Sequence, residues 1–430
     1  MSSMVIQDLI VSKDGLIKGP FGGDIKKSLF VPKSETAYKV YEQGIVINKD
    51  INYGNYYVSL DYFNKHLKRF EVKENDILMT GAGTLGELFT VPSNAPKGVI
   101  NQALLRIRLN DKVIEHRFFC YYFKYYIKSI ISNINGDSVI PNLPPLPILK
   151  STKIDIPVIS YQNKISNVLS SIDSKIELNN RINAELEAMA KTLYDYWFVQ
   201  FDFPAPSPSG WAGVGLPYKT SGGKLVWNEE LKREIPEGWE VKTLSDLLIK
   251  YTDKSVHIES KNILIKGKYP VITQDNGDFI AGFTNEVNPI VDFPVIVFGD
   301  HSCTLRYIDF SFYRGADGTQ IMSFSQDLTI YVYLYLHSII KQIPGYGKYE
   351  RHYKYLKEFD IIIPESQYLK SFQIIIKPIF DKISQSRFEN QKLSSLRDWL
   401  LPMLMNGQVK VKDTEEEKLS MAAEPEGEYK

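Results

Sequence analysis

The sequence predicts an α+β protein: two β-rich modules joined by two long helices that form an antiparallel coiled coil, a pseudo-twofold internal repeat. Three observations predict it. The chain contains itself twice, since "LKSTKIDIPVISYQNKI" (149–165) aligns with "LKEFDIIIPESQYLKSF" (356–372), and Pro157 and Pro364, like Tyr161 and Tyr368, lie 207 residues apart. Each copy continues into a glycine-free helical stretch, "RINAELEAMAKTLYDYWF" (181–198) and "FENQKLSSLRDWLLPML" (388–404). Each is preceded by short apolar runs punctuated by Gly, Asn and Pro, the signature of strands and turns.

In chain order the expected organisation is a first β module over 1–155, a helix over 156–203, a linker over 204–236, a second module over 237–362, a second helix over 363–412 and a disordered acidic tail over 413–430. The first module holds "YKVYEQGIVI", "NDILMTGAGTLGELFTVP" and "GVINQALLRIRLN"; the second holds "KYPVITQDNGDFIAGF", "FPVIVFGDHSCTLRYI" and "GADGTQIMSFS". An offset of 218 places Gly81 opposite Gly299 and Asn101–Gln102 opposite Thr319–Gln320. The Pro-, Gly- and Ser-rich stretch 203–239 reads as the return connection of an antiparallel pair.

The helices share a heptad seam. Ile165, Leu169, Ile172, Ile176, Asn179, Asn183, Leu186, Ala190, Leu193 and Trp197 recur at alternating steps of four and three. Adding 207 gives Phe372, Ile376, Ile379, Ile383, Ser386, Asn390, Leu393, Arg397, Leu400 and Leu404, with Arg397 the one charged exception. A seam this narrow calls for a partner helix, and the nearest is the other copy. Antiparallel pairing brings the polar positions Asn179, Asn183, Ser386 and Asn390 together near the middle, where they fix register. At about 1.5 Å per residue each helix is roughly 50 Å long.

Composition excludes several function classes. The chain has 430 residues, enough for two or three domains, and 51 basic against 51 acidic residues, which gives no global sign of nucleic-acid binding. The tail holds seven acids and two lysines, so the remainder carries a small positive excess. Two cysteines support neither a disulfide framework nor a zinc cluster. A secretory n-region and an apolar run long enough for a membrane are both missing, so a cytoplasmic protein with no membrane contact is expected. "GAGTLG" (81–86) matches a dinucleotide fingerprint but runs into two prolines instead of a helix. "NLPPLP" (142–147) interposes Leu143 in what would be a base-stacking loop of adenine methyltransferases. The six histidines do not cluster at metal spacings. No catalytic residues and no metal ligands are assigned.

Candidate nucleic-acid contacts lie in three loops. "KGPFGGDIKKS" offers Lys18, Lys26 and Lys27 with backbone N–H groups for phosphate. "NYGNYY" offers Asn52, Asn55 and Tyr56 for base edges and sugars. "GYGKYERHYKYLK" offers Lys348, Arg351, His352 and Lys354 among tyrosines. Outside the seam, Ile182, Met189, Tyr194 and Phe198 on the first helix and Trp399 on the second exceed what a two-helix pair buries. They are expected to mark a partner interface; the alternative is that some pack under the adjacent β modules.

Together the heptad helices, "SGGKLVWNEELKREIPEGWEVKTLSDLL" (221–248) and "DILMTGAGTLGELFTVP" resemble the specificity subunit of type I restriction-modification systems over nearly the whole chain. The first half departs from the pattern: it lacks the P-x-G-W of the second and starts abruptly at "VIQDLI". The resemblance implies that each module is a target recognition domain reading one half of a split site in double-stranded DNA, with the helices setting the gap. It implies a non-catalytic subunit that assembles with two methyltransferase subunits and, in the full complex, restriction/translocase subunits. This chain would then carry no cofactor, with S-adenosylmethionine, ATP and Mg on the partners. Two alternatives remain: a coiled-coil scaffold without DNA readout, and a free-standing DNA methyltransferase.

Overall fold

The structure, a computed structural model, describes residues 2–21, 23–81, 85–135, 145–205, 215–249, 257–275, 277, 279–291, 294–315 and 318–412. The acidic tail and the centre of the "GAGTLG" turn lie outside them, as does the first half of "NLPPLP". The chain divides into two compact units, Met1–Lys175 with Leu393–Lys430, and Ile176–Lys392.

The first unit contains β1 (Ser2–Val5), β2 (Leu16–Lys18), β3 (Tyr38–Tyr41), β4 (Tyr57–Val58), β5 (Glu71–Val72), β6 (Ile77–Thr80), β7 (Leu88–Thr90), β8 (Gly98–Ile100), β9 (Leu104–Ile107) and β10 (Lys153–Ile156). Two four-stranded sheets, ordered β2-β9-β6-β7 and β4-β3-β8-β5, share the core of Tyr41, Ile45, Leu78 and Leu104. β6 and β7, both within "DILMTGAGTLGELFTVP", pair antiparallel, with Met79 opposite Leu88. "GIVI" is not a strand: Gln43–Asn48 is helical, closed by Lys49 at a positive φ. β1 pairs with β10.

The second unit contains β11 (Pro204–Ala205), β12 (Leu216–Pro217), β13 (Leu225–Asn228), β14 (Arg233–Pro236), β15 (Glu240–Thr243), β16 (Tyr269–Ile272), β17 (Gly282–Thr284), β18 (Val295–Gly299), β19 (Leu305–Ile308), β20 (Tyr313–Arg314), β21 (Thr319–Met322) and β22 (Asp360–Ile363). The stretch read as a linker is therefore not plain coil. β11 pairs with β12 and β13 with β14, and Phe203 stacks between Tyr218 and Trp239 at 4.6 and 4.9 Å. Its few aromatic side chains supply a core that the Pro and Gly content conceals.

The internal repeat extends to strand topology. β3 pairs parallel with β8 and antiparallel with β4; β16 does the same with β20 and β17. β6 lies between β7 and β9, as β18 lies between β19 and β21. β1–β10 recurs as β15–β22, and Ile6 N→Thr152 O (3.1 Å) recurs as Leu244 N→Phe359 O (2.9 Å). The pairing corrects the sequence alignment of the modules. Gly81 N→Ala103 O corresponds to Asp300 N→Gly318 O, so Gly81 matches Asp300, and Leu104–Leu105 match Thr319–Gln320. A slip of one residue in a strand exchanges its two faces, and weak sequence identity alone did not detect it.

Sequence reading also missed a helix in each module. His116–Asn135 and Gln326–Ile339 lie between the sheets and the long helices in sequence and pack on both. In the first unit Phe118 and Phe119 join Ile165 and Leu169 of the first long helix (Ile159–Tyr194). In the second, Tyr307 and Tyr333 close edge-on over Phe380 of the second long helix (Ser366–Met405) at 5.0 and 5.6 Å.

The long helices are paired antiparallel within each unit. In the second unit Asn179 Nδ2 donates to Asn390 Oδ1 and Asn390 Nδ2 to Asn180 Oδ1, both at 2.8 Å, while Arg387 meets Glu187 at 2.8 Å. Partner numbers that rise on one helix as they fall on the other define the direction. In the first unit the charged exception Arg397 is satisfied across the seam by Asp173 at 2.8 Å, and Asp173 also accepts from Tyr121 at 2.5 Å. Ile172, Ile383, Ser386, Asn179 and Asn183 are buried, and Ile176, Leu186, Leu193, Ile379, Asn390, Leu393 and Leu400 are half-buried. Among the described residues no helix is long and apolar enough to cross a membrane.

Candidate nucleic-acid interface

In the first unit two loops are drawn together by an aromatic stack and a bridge. The turn Lys27–Leu29 leads into Phe30, whose ring stacks on Tyr56 at 4.7 Å, and Val31 N donates to Tyr57 O at 2.9 Å. Lys26 and Lys27 are thereby set beside Asn55 and Tyr56, all exposed. The Asn52 backbone is turned by Asp50, which accepts its N–H at 2.8 Å. Lys39, buried beneath this loop, donates to Gly54 O at 3.2 Å, and burial lowers its pKa. Lys18 lies elsewhere in the unit, on a cleft of about 480 Å³ with Phe21, Arg69, Gln102 and Lys150. Gly19 has no room for a side chain there, since a Cβ would lie 1.8 Å from Asn101 O. Sequence reading missed Arg69 and Lys150, because only folding brings residues so far apart in the chain to one cleft.

In the second unit the loop 343–353 closes against the tip of the β18–β19 hairpin. His352 N donates to Asp300 O at 3.0 Å and Tyr353 N to Asp300 Oδ1 at 2.8 Å. Gly345 and Gly347 adopt positive φ of 76° and 82°, conformations that favour glycine. Lys348, Arg351 and Lys354 are exposed, with Lys354 Nζ 4.5 Å from the Tyr355 ring centroid. His352 corrects the sequence reading. It is fully buried, and both ring nitrogens lie 3.2 Å from carbonyl oxygens, of Pro344 and Lys348. It braces the loop from inside and presents nothing to a ligand. Residues the sequence did not name join here: His301 and Ser302 at the tip, Gln274 after β16, which accepts from His301 N, and Tyr349 in the loop, which stacks on His301.

The proposed partner face divides. Met189 and Trp399 are exposed, at 58% and 48%, and Ile182 is half-buried. Tyr194 and Phe198 are buried at 3% each, packed on Tyr331 at 5.6 and 4.8 Å, and Phe198 meets Phe372 at 4.8 Å. These two serve the module helix that sequence reading missed, and they are not available to a partner.

Residues 23–188 match the family described as type I restriction modification DNA specificity domain. The type I restriction enzyme MjaIX specificity subunit of Methanocaldococcus jannaschii is 26% identical over 406 residues, covering 85% of this chain and 86% of that one. The HindI specificity subunit of Haemophilus influenzae is 24% identical over 324 residues, 61% of this chain and 70% of that one. The solved S subunit of a type I restriction-modification system from M. genitalium shares the fold, with a TM-score of 0.50 at 18% identity over 96% of each chain. The resemblance read from the sequence therefore holds over most of the chain.

Proposed function

We propose that this chain, with the family domain, relatives and fold of type I restriction-modification specificity subunits, directs partner subunits to a split site in double-stranded DNA. Each β module reads one half-site, and the helices set the unread gap. The observation that carries this is the repeat itself: one strand topology built twice with different loop residues, each copy joined to the same pair of helices. That is what two readers of two different sequences on one scaffold require. Lysines at the first loop pair and cations at the second suit phosphate contact. A balanced net charge is tolerable where partner subunits share phosphate neutralisation.

Chemistry is assigned to the partners. Two methyltransferase subunits would dock, one per unit, with S-adenosylmethionine bound to them, and restriction/translocase subunits would bring ATP and Mg. Met189 and Trp399 are among the exposed apolar residues of the long helices and support such docking. The test is a module exchange. Replacing residues 239–355 with the matching segment of a related specificity subunit should change one half of the methylated site and leave the other half and the gap intact. Methylation-aware sequencing reads the outcome, and a change in both halves would sink the proposal.

A further inference from the structure

The tip of the β18–β19 hairpin is held more firmly than an exposed turn requires. The Ser302 and Thr304 hydroxyls both donate to Gln274 O, the second at 2.8 Å, and Gln274 Oε1 accepts from His301 N at 3.2 Å. Gly299 admits no side chain, since a Cβ there would lie 2.2 Å from Ser302 Oγ. On this frame sits His301. Its Nδ1 lies 3.0 Å from Glu350 O, and because a carbonyl only accepts, Nδ1 carries the proton of the neutral ring. Nε2 is then left as a lone-pair acceptor. The imidazole stacks on Tyr349 at 4.5 Å and 8°, and Tyr349 is 85% exposed, so its outer face is bare.

The surroundings fit nucleic acid. Lys348 and Arg351, both exposed, flank the pair in the same loop. The one acid between them, Glu350, is exposed and lies against Gly345, where a Cβ would come within 2.7 Å of Oε2. Lys348 and Arg351 can only donate; the His301 ring, stacked on Tyr349 of their loop, offers a fixed acceptor. In the major groove the hydrogen-bond donors are the exocyclic amines, adenine N6 and cytosine N4. We infer that His301, held by the Tyr349 stack and Glu350 O, is a specificity-determining residue of the second unit that accepts a hydrogen bond from the exocyclic amine of an adenine or cytosine. This rests on the DNA-reading function proposed above.

The test uses the chain assembled with its methyltransferase subunits on duplexes carrying the methylated site. Each adenine of the half-site read by the second unit is replaced in turn by purine, and each cytosine by 2-pyrimidinone, which removes only the amine. One position should weaken wild-type binding by roughly tenfold. His301→Ala should lose about as much on the natural duplex and lose nothing further at that position. Tyr349→Phe, which keeps the stack, should bind as wild type. An equal amine penalty in His301→Ala, no penalty at any position in wild type, or full affinity of His301→Ala overturns the inference and leaves the DNA-reading function standing. A wild-type complex with no sequence preference overturns both.

Discussion

The two units build equivalent paired sheets, four-stranded in the first and three-stranded in the second, around different interiors. In the first, Asp76, Arg106 and Arg108 are drawn together: Arg108 grips Asp76 with two bonds of 2.7 Å, and Arg106 Nε lies 3.9 Å from it. Arg106, 2% exposed, also donates to the carbonyls of Asp14, Arg69 and Glu71 at 2.7, 3.1 and 2.5 Å. By the strand pairing, the corresponding positions of the second unit are Val295, Ile321 and Ser323. Val295 and Ile321 belong to an apolar cluster with Ile272 and Phe312. The second unit buries its own arginine on a different strand: Arg306 on β19 donates to Asp275 O at 2.7 Å and to Thr273 O. Topology survives while core chemistry changes, because a strand order is specified by which faces are apolar and not by which groups fill them.

The largest expected effect comes from breaking the ionic interior. Asp76→Ala leaves the buried Arg106 and the half-buried Arg108 short of their counter-charge and should destabilise the first unit by about 3–5 kcal/mol. Urea unfolding followed by hydrogen exchange should register the loss in β6 and β9 and not in β18 and β21; a uniform loss would mean that the units do not unfold separately. Sharpening the comparison, the triple change Asp76→Val, Arg106→Ile, Arg108→Ser installs the second unit's solution. Well-packed apolar replacement of a buried ion group is neutral or stabilising by about 1–4 kcal/mol, so the triple variant should be far more stable than Asp76→Ala. If it is no better, the carbonyls that Arg106 caps matter more than the charges.

Smaller effects are expected at the seam of the second unit. Asn179 donates to Glu389 and Asn390 at 2.8 Å each, whereas the buried Asn183 Oδ1 finds no partner among the described residues. Asn179→Leu should therefore cost about 1–3 kcal/mol and Asn183→Leu should gain about 1 kcal/mol. Thermal unfolding of both variants checks the opposite signs.

The smallest expected effect is in pH dependence, and the units should differ in sign. Burial works against the Glu115 carboxylate in the first unit, but hydrogen bonds from Ser166, the Phe118 N–H and Arg117 outweigh it and hold its pKa below the usual 4.5. Its stabilisation is present above that value and is lost as pH falls through the lowered one. Burial raises Asp309 in the second unit above the usual 3.8 despite the Ser384 bonds of 2.8 and 2.9 Å. Its ionisation opposes folding at neutral pH, and that opposition is relieved as pH falls through the raised value. Glu115→Gln should destabilise at pH 7 with a difference that shrinks in acid. Asp309→Asn should be neutral to stabilising at pH 7. Matched stability curves from pH 7 to pH 3 would show whether the signs are opposite.

By itself the sequence determined the repeat, the two long helices, their seam and their antiparallel sense, because a 3.5-residue period and a constant offset are local arithmetic that survives divergence. Asn179 does meet Asn390, and even the exception Arg397 is answered by Asp173. The strand segments holding β6, β7, β18 and β19 were legible as short apolar runs between turn residues. Only the tertiary structure decided what lies against what. The module helix Gln326–Ile339 claims Tyr194 and Phe198, which looked like a partner face. The faces of the two strands turned on register slips of one residue at Gly81 and three at Leu104 that no short identity could settle. His352 withdrew into the interior while His301 and Tyr349, 48 residues apart in the chain, came to stack at one surface. Burial and long-range pairing depend on what the rest of the chain places nearby, and a residue's type and local spacing carry no record of that.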